Sequence, residues 1–173
     1  MGQSGMPPQG PLVYQDHEHL MAVCGNAILT YSVAPPNPSY LAAWTSQVGI
    51  VVEQWQAPLL VMTIIGASVR GPDDESKRTI KETLVRHGAH IHAFAYVVAG
   101  EGFKAAAVRS AISLISLAAR YSFPIKVFEC VEDSVPWMLS RPSPTTARAP
   151  KPNELIQAAH SLSDQLKAIA AAS

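Results

Sequence analysis

The chain has 173 residues, 48% apolar and 15% charged. That length allows one domain with short extensions and a core that needs neither disulfide nor metal, and the composition excludes a largely disordered chain. Lys and Arg together number 13, as do Asp and Glu, so no bulk charge draws the chain to nucleic acid or an acidic membrane surface.

Residues 1–17 read as a flexible N-terminal segment. They hold no basic cluster followed by an apolar run, the pattern of an export signal. Met6 stands where a myristoylation signal needs Ser or Thr. No stretch approaches about 18 unbroken apolar residues, so no membrane span is expected and the reading is cytoplasmic. Two short apolar runs flank Gly25-Asn26, which predicts strands over 18–24 and 27–33 joined by a two-residue hairpin. Pro35, Pro36 and Pro38 stop the second strand, and Asn37 or Ser39 is placed to cap a helix.

Apolar residues Leu41, Trp44, Val48, Val51, Val52 and Trp55 mark one face of a helix over 40–56. The run LLVMTII between Pro58 and Gly66 is short, β-branched and bounded by breakers, so it predicts a buried strand. Asp73 caps the next helix, with Asp74 and Glu75 in its first turn and Arg86, His87 and Gly88 at its end. HIHAFAYVVA (90–99) is a second buried strand, and Gly100-Glu101-Gly102 is the turn after it. Residues 103–121 form a helix with only Lys104, Arg109 and Arg120 for charge. A helix apolar on more than one face is either deeply buried or covered by a partner. IKVFECV (125–131) is a third buried strand, followed by a short helix to about 140.

Residues 142–152 contain four prolines and no large apolar side chain, which predicts an extended linker. Asn153 would cap a last helix over 153–173. There Leu155, Ala159, Leu162, Leu166 and Ile169 recur at spacings of four and three. Such a seam docks back on the domain, pairs with another chain or is left to fray, and Leu155, Leu162, Leu166 and Ile169 are its interface candidates. The order ββαβαβαβα predicts an α/β domain over 18–141, a single mixed five-stranded sheet with four helices and right-handed crossovers.

The order and several segments resemble the STAS-like superfamily, whose best-known members are bacterial anti-sigma-factor antagonists; a related fold occurs in CRAL-TRIO lipid-transfer domains. The matching stretches are LLVMTII, PDDESKRTIKETL, AYVVAGEGFKAAAVRSAISLI and FPIKVFECVEDSVPWM, with VVAGEGFKAAAVRS the most specific. The nearest likeness is to a bacterial group of STAS-like proteins, and the resemblance covers about residues 18–140. It implies a non-enzymatic regulatory or interaction module that binds a partner protein or itself. The alternative it implies is a small-ligand or lipid binder of CRAL-TRIO type. Phosphorylated STAS proteins carry a Ser directly after an Asp at the start of the helix following the central strand. The matching region here, IIGASVRGPDDESKR, places Ser68 near the strand end with no Asp before it. Ser68 is the phosphorylation candidate; a phosphate on Ser76 would meet Asp73, Asp74 and Glu75 and be repelled.

Other chemistry reads weakly. His17/His19 and His90/His92 each place two imidazoles on one side of a strand, but spacing alone does not bring the pairs together, and no metal or other cofactor is assigned. Gly100 and Gly102 could let backbone N–H groups approach an anion, with Arg70 and Arg109 as neighbours, although the full glycine-rich pattern and a phosphate-binding lysine motif are absent. Cys24 and Cys130 lack an adjacent base and read as reduced thiols. Trp44, Trp55 and Trp137 read as core anchors rather than a stacking platform for bases. No catalytic set emerges.

Overall fold

The computed structural model of the protein describes residues 11–55, 58–66, 68–140 and 150–172. A six-stranded sheet runs in the spatial order β1 (Leu12–Gln15), β2 (His19–Cys24), β3 (Ala27–Ser32), β4 (Leu59–Gly66), β5 (Ile91–Ala99) and β6 (Ile125–Phe128). β1, β2 and β3 pair antiparallel, and β3 through β6 pair parallel. The expected sheet had five strands; the sixth is β1, inside the segment read as flexible. Its Leu12, Tyr14 and Gln15 pair with Ala22, Met21 and Leu20. Four residues, with Leu12 and Val13 exposed and Tyr14 half-buried, carry too weak a period to announce a strand.

The β2–β3 turn is the expected one. Gly25 has φ 57° and Asn26 does not share the left-handed region, the pattern of a type II′ turn. Parallel crossovers link β3 to β4 through α1 (Pro38–Trp55), β4 to β5 through α2 (Asp74–His87), and β5 to β6 through α3 (Phe103–Ala119). α1 and α2 pack on one face of the sheet, and α3 lies against β5 and β6. α4 (Val131–Leu139) and α5 (Pro152–Ala172) cover the other face.

Each face therefore has its own core. On one, Tyr40, Leu41, Trp44, Val48 and Val51 of α1 and Leu84 of α2 meet Met21, Ile28, Leu59, Val61, Ile91 and Phe94 of the sheet. On the other, Val131, Val135 and Met138 of α4 and Leu155, Ala158, Ala159, Leu162 and Leu166 of α5 meet Leu20, Leu29, Met62, Ala95 and Val97. Alternation along β4 sends Leu60, Met62 and Ile64 to the second core and Leu59 and Val61 to the first, which is why that strand reads as continuously apolar.

The caps follow local chemistry. Asn37 Oδ1 accepts the Tyr40 N–H at 2.8 Å and starts α1 with Pro38 in its first position. Asp73 Oδ1 accepts the Ser76 N–H at 2.7 Å and starts α2. α5 starts at Pro152 rather than after an Asn153 cap: Glu154 reaches back and accepts the Lys151 N–H at 2.9 Å. The expected linker, 142–152, lies outside the described residues as far as 149.

Of the two fates open to the last helix, the structure has α5 docked within the chain. Leu155, Leu162 and Leu166 are buried, and Ile169 packs against the same core. As candidates for an interface between chains, the first three are thereby corrected: their side chains are buried where α5 packs on the sheet face of β2 and β3.

Candidate functional site

Ligand sites in open α/β sheets gather where parallel strands end. Here that edge holds Ser32, Gly66, Gly100 and Glu129. Ser68 and Arg70 are exposed in the loop after β4. Gly100 (φ 120°) and Gly102 (φ 89°) form the turn after β5 in backbone conformations that favour glycine.

Arg109 does not offer its charge to an anion there. Its Nη1 donates to the carbonyls of Val98 at 3.3 Å and Gly100 at 3.2 Å, and its Nη2 lies 3.0 Å from Glu129 Oε1. The side chain is only 17% exposed. Arg109 ties the ends of β5 and β6 to α3, and the turn that resembles an anion cradle presents a carbonyl to it. The Gly102 carbonyl accepts the Ala106 N–H at 3.1 Å, an ordinary first helical bond.

The histidine pairs lie at opposite edges of the sheet. His19 pairs with Ser32 at the end of β3, whereas His92 lies at the start of β5, beside Leu59 at the start of β4. Nor do His17 and His19 share an environment: the His17 side chain is 75% exposed and that of His19 is fully buried. Among the described residues no group of three or more His, Cys, Asp or Glu is arranged to hold a metal ion. Cys24 and Cys130 are free thiols; burial pushes the Cys24 thiol up, and the nearby Glu154 carboxylate adds to it. Trp44 is a core residue, and Trp137 packs against the ring of Phe128. The side chain of Trp55 lies outside the described part of the molecule.

The densest polar cluster surrounds Asp16. Its Oδ1 accepts the N–H groups of Glu18 at 2.7 Å and His19 at 2.6 Å, and its Oδ2 accepts from Tyr14 Oη and Asn37 Nδ2, both at 2.9 Å. His19 Nδ1 lies 3.1 and 3.2 Å from the two carboxylate oxygens, and Nε2 lies 3.1 Å from the Pro35 carbonyl. The imidazole also stacks on Tyr40, with centroids 4.6 Å apart. Burial pushes the Asp16 carboxyl up. The hydrogen bonds from Asn37, the Glu18 backbone and Tyr14, with the nearby His19, outweigh it and hold the group well below the usual carboxylate range. Burial and the bond to Asp16 push the Tyr14 phenol up to about 12. Every oxygen of this cluster is spent on a neighbour, so it works as a clamp joining β1, β2 and the loop into α1.

The other conspicuous feature is apolar. Of the described side chains on α3 only Ala105 is fully buried. Phe103 is 88% exposed, Leu114 67% and Ile115 63%. Ala107, Ala111 and Ala118 are exposed as well. α3 lies against β5 and β6, the short strand at one sheet edge, and among the described residues its outer surface is left exposed. Sequence reading found the excess apolar surface of this helix. It missed Asp16, Tyr14 and Asn37 as partners of His19; the signal was the alternation of Leu12, Tyr14 and Asp16 running into His19.

No family model matches the chain, and no curated protein matches it. Among solved structures it is similar to a protein from the DUF3478 family with a SpoIIAA-like fold, from Shewanella loihica. The two share 13% identity over 65% of this chain and 83% of that one, with a TM-score of 0.48. Among the described residues no helix is long and apolar enough to cross a membrane.

Proposed function

We propose that this chain is a non-enzymatic module of STAS-like type that acts by binding a protein partner through the outer face of α3. The observation that carries the reading is three large apolar side chains, Phe103, Leu114 and Ile115, exposed on one helix at a sheet edge. An excess of exposed apolar surface marks interaction sites in soluble proteins. A non-catalytic reading draws support from the polar groups at the strand ends. Arg109 and Glu129 satisfy each other, and Asp16 and His19 are consumed by the clamp. Catalysis needs a charged or nucleophilic group held in reserve beside a place for substrate.

The test is a photo-crosslinking amino acid placed at Leu114 in the full chain and irradiated in the source cells, with the same residue at the exposed Glu82 of α2 as control. A discrete protein adduct at position 114 and none at 82 is the expected outcome. Absence of any discrete adduct at 114 would overturn the reading. So would a stoichiometric lipid retained by the purified protein in native mass spectrometry, which is the outcome a carrier would give.

A further inference from the structure

We infer that the sheet surface around Tyr96 is a binding site for a small uncharged molecule that offers a hydrogen-bond acceptor, held by the hydroxyls of Tyr96 and Thr63. Thr30, Thr63 and Tyr96 lie side by side across β3, β4 and β5, the register setting Thr30 against Thr63 and Thr63 against Tyr96. Alternation along each strand puts them on the face that carries Ile28, Val61 and Phe94, the face on which α1 and α2 pack. β4 and β5 are interior strands, yet Thr63 and Tyr96 are only half-buried. Two residues back on the same face, Val61 and Phe94 are 0% and 2% exposed, and on the opposite face the adjoining Ile64 and Val97 are 3% and 1% exposed. Solvent therefore reaches the sheet through an opening in the layer above Thr63 and Tyr96.

The hydroxyls at this opening are not spent within the protein. Thr30 Oγ1 donates to Thr63 Oγ1 at 3.1 Å, which leaves the hydrogen of Thr63 to be given elsewhere. Burial pushes the Tyr96 phenol far above its usual range, with smaller contributions from the nearby phenols of Tyr121 and Tyr40, and no hydrogen bond enters. A phenol this deep ordinarily finds a partner. Among the described residues the one buried side-chain atom both shut off from solvent and without a hydrogen bond is Asn26 Oδ1, in the β2–β3 turn. The Tyr96 oxygen therefore faces the opening, one strand spacing, about 4.8 Å, from Thr63. The lining sets the chemistry of the occupant. No ionised group acts on Tyr96, and a charge taken out of water without a counter-charge is costly, so the occupant is uncharged. The Tyr96 ring stacks on Phe94 with centroids 4.6 Å apart, and Ile80 and Tyr121 pack against the same cluster. A ring-sized molecule with a carbonyl oxygen, whose two lone pairs can take both hydroxyls, matches apolar walls with two convergent donors.

The experiment is a nuclear magnetic resonance titration of the isotopically labelled full chain with three probes of one shape. Benzamide is uncharged and carries a carbonyl acceptor, benzoate is its anionic counterpart, and toluene has no acceptor. Benzamide should move the amide resonances of Thr63 and Tyr96 and saturate in the millimolar range, the scale set by so small a probe. Benzoate and toluene should bind at least about tenfold more weakly. Tyr96→Phe keeps the ring and removes the donor. It should weaken benzamide by about tenfold, leave toluene unchanged, and leave the thermal midpoint no lower than in the parent chain, because the lost hydroxyl has no partner in the protein to strand. A phenol with a structural role would instead lose stability on that change. Benzamide shifts that do not saturate, as when the opening holds water only, overturn the inference. So do equal affinities for the three probes, a Tyr96→Phe variant that binds benzamide as before, or one that is destabilised or unfolded. The crosslink at Leu114 reads the outer face of α3 and none of these hydroxyls, so the docking face and this site stand or fall separately.

Discussion

Asp16 carries more of the fold than its place near the chain start suggests. Four hydrogen bonds converge on one carboxylate that also faces a fully buried imidazole. Asp16→Asn removes the charge and sets an amide donor among groups that themselves donate to the carboxylate. Weakening hydrogen bonds to a charged acceptor in this way should cost about 2 kcal/mol, read as a lowered urea midpoint at pH 7. The sign of the pH dependence follows from the depressed carboxyl. Its stabilisation is fully present above the unfolded value near 4 and is lost as pH falls below that toward the folded value. The gap between the parent chain and Asp16→Asn should therefore hold from pH 7 to about 5 and shrink below about 4. A gap independent of pH would show that the charge of Asp16 contributes nothing. The phenol of Tyr14 offers a second readout. Its absorbance should titrate near 12 in the parent chain and move down toward the ordinary range in Asp16→Asn, because one of the two main causes of its rise is gone. Little of this clamp was legible beforehand. His19 was visible as half of a spaced pair, but its acceptors come from the β1–β2 turn and from Pro35 sixteen residues on, and no local period links them.

At the scale of elements, legibility tracked burial. β4 and β5 read correctly because strands buried on both faces are continuously apolar, and α1 and α2 because their caps and stripes agree. β1 did not, because an edge strand with exposed side chains obeys no such pattern. The spacing in α5 was readable while its partner was not: a seam at spacings of three and four fits a sheet as well as another helix. The structure has it on β2 and β3. Leu162 sits in the middle of that contact, 2% exposed. Leu162→Ala should cost about 3 kcal/mol in urea unfolding, the ordinary penalty for a leucine-sized cavity. A chain cut after residue 150 should bind a hydrophobic dye and lose cooperative unfolding, since Leu20, Leu29 and Met62 would face water. A cost near zero for Leu162→Ala would place α5 off the sheet. Arg109 belongs to the same scale. It was visible as a cation near a glycine turn, and its role as a tie between α3, β5 and β6 depends on Glu129, twenty residues away. Arg109→Met should lower stability by about 1–2 kcal/mol through three lost charge-assisted contacts, and added phosphate should leave the thermal midpoint of the parent chain where it is.

For the whole molecule, the distribution of packing decides which part is free to act. α1, α4 and α5 each insert several fully buried side chains between themselves and the sheet, whereas α3 fully buries only Ala105 among its described residues, half-buries Val108 and Ile112, and is tied by Arg109. The N-terminus of α3 has no side-chain cap, since Gly102 stands where α1 and α2 have Asn37 and Asp73. Local opening costs least where buried apolar contact is least. In hydrogen exchange of dilute protein, amides of 103–119 should exchange at least about tenfold faster than those of α1 and α5, because less buried apolar contact resists opening. Binding of a partner to that face should protect the segment selectively, while α1 and α5 stay as they were. Equal protection across all helices in dilute solution would mean that α3 is packed as firmly as the rest. The helix would then have no reason to seek further contact, and the reading of its outer face as the working surface would fail on energetic grounds.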